Sequence, residues 1–192
     1  MNEIISNVRT LAAVLLVVTA FNSSATERKV WEKLINCQYL ATPHGDGDSF
    51  RVSCGVRIFE ARLYYVDAPE TKLNGDRVRE QRDYFNITLD DVLNIGNKAN
   101  ARVQAALNKP FTIHTRWAHA GGRSTVPRYY VLVEVDGKSL IELLVSEGLV
   151  RIKGVTVHLP NEMKSKDYKN KLKLLEEGAN RNKIGAWKLS KR

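Results

Sequence analysis

The 192-residue chain reads as an α+β domain in which five short strands and three helices surround a small curled sheet, and three observations predict this. Short runs rich in β-branched and aromatic residues alternate in polarity and end at turn signals. Two stretches open with Ser or Thr followed three residues later by an acid, the signature of a helix start. A third, near the C-terminus, carries apolar residues at helical spacing with lysines between them. No internal repeat, heptad or low-complexity tract is present, so one domain is expected.

The first residues stand apart from that domain. Asn7 to Arg9 form a short polar start, Leu11 to Phe21 an almost unbroken apolar run, and Ser23-Ser24-Ala25 a small-residue end. That order predicts a signal peptide over 1–25 with processing after Ala25. The apolar run is about half the length a membrane-spanning helix requires. The remaining chain, 26–192, is therefore expected to be an exported domain, periplasmic or secreted, with no stable membrane span after processing.

Strand patterns run from Ile35 to Ala41 and from Phe50 to Cys54, with Gly45-Asp46-Gly47-Asp48 as the turn between them. Val56 to Val66 continues as a strand until Pro69 stops it, with Arg62 set between apolar neighbours. Lys72 to Asn86 is polar and arginine-rich without a clear period and reads as a long surface excursion. Thr88 and Asp91 then form a capping box, Ile87 and Val92 a hydrophobic staple, and Val92, Ile95, Ala99, Val103 and Ala106 one apolar face that Pro110 ends. Phe111 to Trp117 and Arg128 to Val135 read as strands around a loop with Gly121-Gly122. Ser139 and Glu142 start a second helix that Gly148 closes, and Leu149 to Ile152 has strand character. Tyr168, Leu172, Leu175 and Ala179 mark the last helix.

Hydrophobic content of 43% and charged content of 27% exclude a disordered chain. Lys and Arg total 30 against 21 acids, a formal charge of +9. Glu3 cancels Arg9, so the excess belongs to 26–192, where it attracts polyanions at long range. Two cysteines, Cys37 and Cys54, flank the first hairpin turn, and export would permit a disulfide between them. The histidines at 44, 114, 119 and 158 lack zinc-ligand spacing.

Acids are densest where strands give way to turns: Asp46 and Asp48 in one turn, Asp67 and Glu70 in another. Turns favour aspartate on their own account, so each segment alone is explained by chain reversal. If the two turns meet, Asp48 and Asp67 repel unless a cation lies between them. Calcium suits hard oxygen ligands in irregular geometry, including a backbone carbonyl such as that of Ala68, and magnesium is a substitute on ligand type. Glu70 is then placed to activate water, and Arg62 to reach a phosphate from the adjoining strand.

Gly45-Asp46-Gly47-Asp48-Ser49-Phe50 followed by Ala61-Arg62-Leu63-Tyr64-Tyr65-Val66-Asp67-Ala68-Pro69-Glu70-Thr71 resembles the staphylococcal nuclease, or thermonuclease-like, family. The resemblance resumes at Pro127-Arg128-Tyr129 and Asp136-Gly137-Lys138-Ser139-Leu140, and ends near Gly185-Ala186-Trp187. It implies an OB-type five-stranded β-barrel with three helices. It also implies a calcium site formed by Asp48, Asp67 and the Ala68 carbonyl with Asp46 in support, a water-activating Glu70, and two phosphate-binding arginines, Arg62 and Arg128. Val126-Pro127 departs from the family's tyrosine-glycine approach to the second arginine, and Gly154 and Thr156 occupy the approximate positions of two further pocket tyrosines of the family. Tyr84, Trp117 or Tyr129 are the aromatic residues expected to compensate.

The expectation that follows is a monomeric, metal-dependent phosphodiesterase, an endonuclease acting on DNA, with RNA left open as a second candidate substrate and no obligate protein partner. The alternative is a catalytically silent, exported nucleic-acid-binding OB-type module. A structural envelope protein would leave Arg62, Glu70 and Arg128 without a task.

Overall fold

The computed structural model describes residues 30–42, 45–73, 75–122 and 125–191. The leader assigned to 1–25 lies outside the described residues. Among the described residues six strands form one sheet: β1 (Glu32–Leu40), β2 (Ser49–Cys54), β3 (Arg57–Leu63), β4 (Phe111–His119), β5 (Arg128–Val135) and the two-residue β6 (Lys138–Ser139). Their order is β3-β2-β1-β4-β5-β6, with a further parallel pairing of β3 to β5. Four α-helices accompany them among the described residues: α1 (Asp76–Phe85), α2 (Leu89–Ala106), α3 (Leu140–Ser146) and α4 (Ser165–Arg181), followed by a short 3-10 helix at Gly185–Lys188.

The expected five-stranded OB-type barrel with three helices is thus corrected to a six-stranded sheet with four α-helices. The added strand comes from the Asp136-Gly137 turn, where Asp136 and Gly137 both adopt positive φ and fold Lys138 and Ser139 back onto β5. The added helix is α1, in the segment read as a surface excursion. Its buried residues are Val78, Gln81 and Phe85, one face broken by a polar side chain. Leu149 to Ile152 does not extend the sheet; Arg151 makes only an isolated bridge to Asp67.

The capping box of Thr88 and Asp91 is present at the start of α2, and Ile87 and Val92 are both buried. Ser139 caps α3 by accepting the Glu142 N–H, while the Glu142 carboxylate accepts from Lys171 of α4 at 2.7 Å. Inward residues of the sheet, Phe50, Val52, Phe59, Ala61, Leu63, Ile113, Val131 and Val133, pack with Ile95 and Val103 of α2, Leu144 of α3 and Leu172 of α4. Each large apolar side chain so buried contributes on the order of 2 kcal/mol. Cys37 and Cys54 form a disulfide joining β1 to β2.

Two glycines set how closely α2 approaches the acidic turns. A Cβ on Gly96 would lie 2.5 Å from the carbonyl oxygens of both Pro69 and Glu70. A Cβ on Gly47 would lie 2.6 Å from that of Ala99. The helix therefore presses on the 45–48 and 67–70 turns together, and brings them into one place.

Candidate functional site: an arginine-lined cleft

The two acidic turns do meet. Asp48 has no exposed surface; its carboxylate accepts from the Arg62 guanidinium and from the Ala68 N–H at 2.6 Å. Asp46 stays beside it and accepts the Asp48 N–H at 3.1 Å. Full burial, with Asp46 and Asp67 nearby, pushes the Asp48 carboxyl well up, and Arg62 opposes this.

Asp67 is held from several sides. One oxygen accepts from Arg77 and from Arg62 at 3.3 Å; the other accepts from Arg151 Nε at 2.6 Å and Gln81 Nε2 at 3.1 Å. Arg151 is itself buried, and its backbone exchanges two hydrogen bonds of 3.0 Å with that of Asp67. Gln81 also donates to the Ala68 carbonyl at 2.8 Å and accepts the Glu70 N–H at 2.9 Å. Glu70 is more open and lies 3.2 Å from Arg77 Nε.

This arrangement overturns the calcium-centred mechanism. Among the described residues no group of three or more His, Cys, Asp and Glu side chains is placed to hold a metal ion. The expected ligands are already engaged: Asp48 by Arg62, Asp67 by Arg62, Arg77 and Arg151, and the Ala68 carbonyl by Gln81. Guanidinium groups supply positive charge at the acids where calcium was expected. The expected metal-dependent phosphodiesterase, a calcium-dependent endonuclease on an OB-type barrel, is therefore not supported.

What remains is a cleft of about 460 Å³ beside the acids. It is lined by Arg62, Arg77, Arg128, Arg151 and Lys153 against Asp67 and Glu80, with Tyr130 as its aromatic member. The parallel β3–β5 pairing builds one wall, since Glu60 registers with Arg128 and Arg62 with Tyr130. Strand alternation turns Phe59, Ala61 and Leu63 inward and leaves Glu60 and Arg62 on the other face. Arg128 Nε is buried with no hydrogen-bond partner among the described residues. Gly122, at φ 96°, lets its loop close on that side chain, because a Cβ there would meet Arg128 Nη1 at 2.7 Å.

Of the aromatic residues expected to compensate in the cleft, none lines it. The Tyr84 hydroxyl donates to Glu176, and its ring packs on Phe85 and Trp187. Trp117 and Tyr129 pack on each other and on Phe59. Tyr130, stacked on Tyr64 with ring centroids 5.0 Å apart, is the aromatic residue of the site. Sequence reading also missed Arg77, Gln81, Arg151 and Lys153. Arg151 had a signal: a cation inside the apolar run Leu149 to Ile152 requires a buried counter-charge.

A larger cavity, about 1160 Å³, lies between α2, β5, α3 and α4 and contains none of the expected site residues. Its charged lining is Lys33, Arg102, Lys109, Lys138 and Lys171 with Glu134, Asp136 and Glu142. Comparison with known protein families and with curated proteins finds no match to this chain.

Proposed function

We propose that this protein binds nucleic acid by gripping a backbone phosphate in the arginine-lined cleft. The observation that carries the reading is Arg128: a buried guanidinium nitrogen without a partner among the described residues, in a cleft lined by five cationic and two acidic side chains. A desolvated donor left unpaired costs about 1–3 kcal/mol, and an entering phosphate oxygen would recover it. Guanidinium forks match phosphate geometry in a way lysine does not.

Arg62 and Arg128 are the residues that the family resemblance assigns to phosphate, and their convergence on one wall supports that part of it. Tyr130 offers a ring beside the phosphate, a surface that accepts any base. The formal charge of +9 favours encounter with polyanions. The leader-like N-terminus and the Cys37–Cys54 disulfide support an exported location, in the periplasm or outside the cell. Among the described residues no helix is long and apolar enough to cross a membrane.

Fluorescence anisotropy with labelled single-stranded DNA and RNA at low salt tests the reading. Binding is expected, falling linearly on logarithmic axes as salt rises. Arg128→Ala should weaken it about tenfold, equivalent to about 1.4 kcal/mol. Undiminished affinity in folded Arg128→Ala protein, or no binding by the wild type at low salt, would refute it.

A further inference from the structure

The two acidic turns together carry four carboxylates, those of Asp46, Asp48, Asp67 and Glu70, directly beside a cleft read as a phosphate site. Uncompensated, their field would repel the ligand, because like charges a few ångströms apart at a protein surface repel each other. Arg62 and Arg151 are bonded to Asp48 and Asp67. The third compensating cation comes from α1. Arg77 bonds to Asp67, sets Nε 3.2 Å from Glu70, and brings Nη2 to 4.0 Å from Asp48. Among the described residues it is the one cation paired with Asp48, Asp67 and Glu70 together, and it lines the cleft with its side chain 44% exposed. The helix beneath it is fixed by buried Val78 and Phe85 and by the Gln81 bonds to the acidic turn.

We infer that Arg77 is the resident cation of the acidic turn, and that it makes the cleft accept a phosphate without any added metal ion. The inference rests on the phosphate reading above and adds what sets the charge of the site. Arg77 is a positioning residue: its task is to neutralise Glu70 and Asp67 so that Arg62 and Arg128 meet the ligand unopposed.

Two independent measurements test it. In anisotropy assays with chelator present, wild-type binding should be unchanged by removal of divalent cations. Arg77→Ala should weaken binding about tenfold or more, and Glu70→Gln in the Arg77→Ala background should restore part of the loss. A gain from Glu70→Gln that is larger in the Arg77→Ala background than in the wild type distinguishes charge balance from a direct Arg77 contact with phosphate or a merely structural role, either of which would give the same gain in both backgrounds.

The second measurement uses no nucleic acid, so it stands even if the phosphate reading fails. Thermal unfolding is followed with and without calcium chloride at about 5 mM, a concentration sufficient for weak oxygen sites. The Arg77→Ala protein, with its acids exposed to one another, should gain Tm on adding calcium, while the wild type should not, because ligand binding to the folded state raises Tm. An equal calcium response in both proteins would overturn the inference, since a metal would then displace Arg77. So would the absence of a response in folded Arg77→Ala protein, or chelator-sensitive binding by the wild type.

Discussion

Asp67 and Glu70 sit three residues apart, yet their surroundings push them in opposite directions. Burial drives Asp67 upward, but the hydrogen bond and charge of Arg77, with Gln81 and Arg151, prevail and hold it below the ordinary value of 3.8. Burial also drives Glu70 upward; Arg77 opposes it, while Asp46 and Asp67 add to the rise, and the group ends above its ordinary 4.5. A depressed carboxylate stabilises the fold above the ordinary carboxylate range, and this contribution is lost as pH falls through the folded value. For a raised carboxylate the stabilisation is greatest at low pH and is lost as pH rises through the folded value. Asp67→Asn should therefore lower Tm at neutral pH and flatten its acid limb. Glu70→Gln should leave stability unchanged or raise it at pH 7, by less than about 1 kcal/mol because the site is partly solvated. Tm measured from pH 3 to 8 checks both, and a marked loss in Glu70→Gln at pH 7 would contradict the assignment. The acids themselves were legible in the sequence because strand-ending turns expose carboxylates. Their partners were not, because a guanidinium can reach a carboxylate from any segment the fold brings near.

At the scale of elements, α1 and α2 decide what the acidic turns can hold. The start of α2 was legible from Thr88 and Asp91, whose reciprocal bonds are local in sequence. The α1 helix was hidden because its buried face includes Gln81, and the amide is buried only because it bonds to the 67–70 turn. A polar residue in a helical stripe breaks the apolar period while obeying the geometry. The contact of α2 with that turn depends on Gly96. Gly96→Ala would gain from helix propensity in isolation, but the added Cβ meets two carbonyl oxygens at 2.5 Å. The clash should dominate, with a net loss of about 1–3 kcal/mol in urea unfolding. A stabilised Gly96→Ala protein would show that the helix and turn are not in this contact.

At the scale of the whole molecule, the sheet alternation and most helices could be read from local pattern, whereas the pairing of β3 with β5 could not. That pairing joins residues such as Arg62 and Tyr130 through backbone hydrogen bonding and leaves no periodic trace in either strand. It is also what places Arg128 opposite Glu60, so the cleft was the least legible part of the chain. The disulfide was legible from the hairpin it spans. Its closed loop has a sequence separation of 17, for which chain-entropy arguments give about 3 kcal/mol of stabilisation. Replacing both cysteines by alanine should lower the unfolding free energy by about that amount while anisotropy still detects nucleic-acid binding, because neither cysteine lines the cleft. Loss of binding in a folded double variant would tie the bridge to the site.

The backbone bridge between Asp67 and Arg151 also places the cleft in time. The two residues are 84 positions apart, and Arg151 supplies both the backbone partner and the guanidinium that Asp67 needs. A chain emerging from the ribosome can form the β1–β2–β3 hairpins and α2 early, since those contacts close short loops. Until residue 151 has been made, Asp67 lacks that bridge, and Arg62 and Arg77 share the acids without it. The cleft therefore draws on both ends of a long stretch of chain, and a chain cut short before residue 151 would carry the acidic turns but not the site.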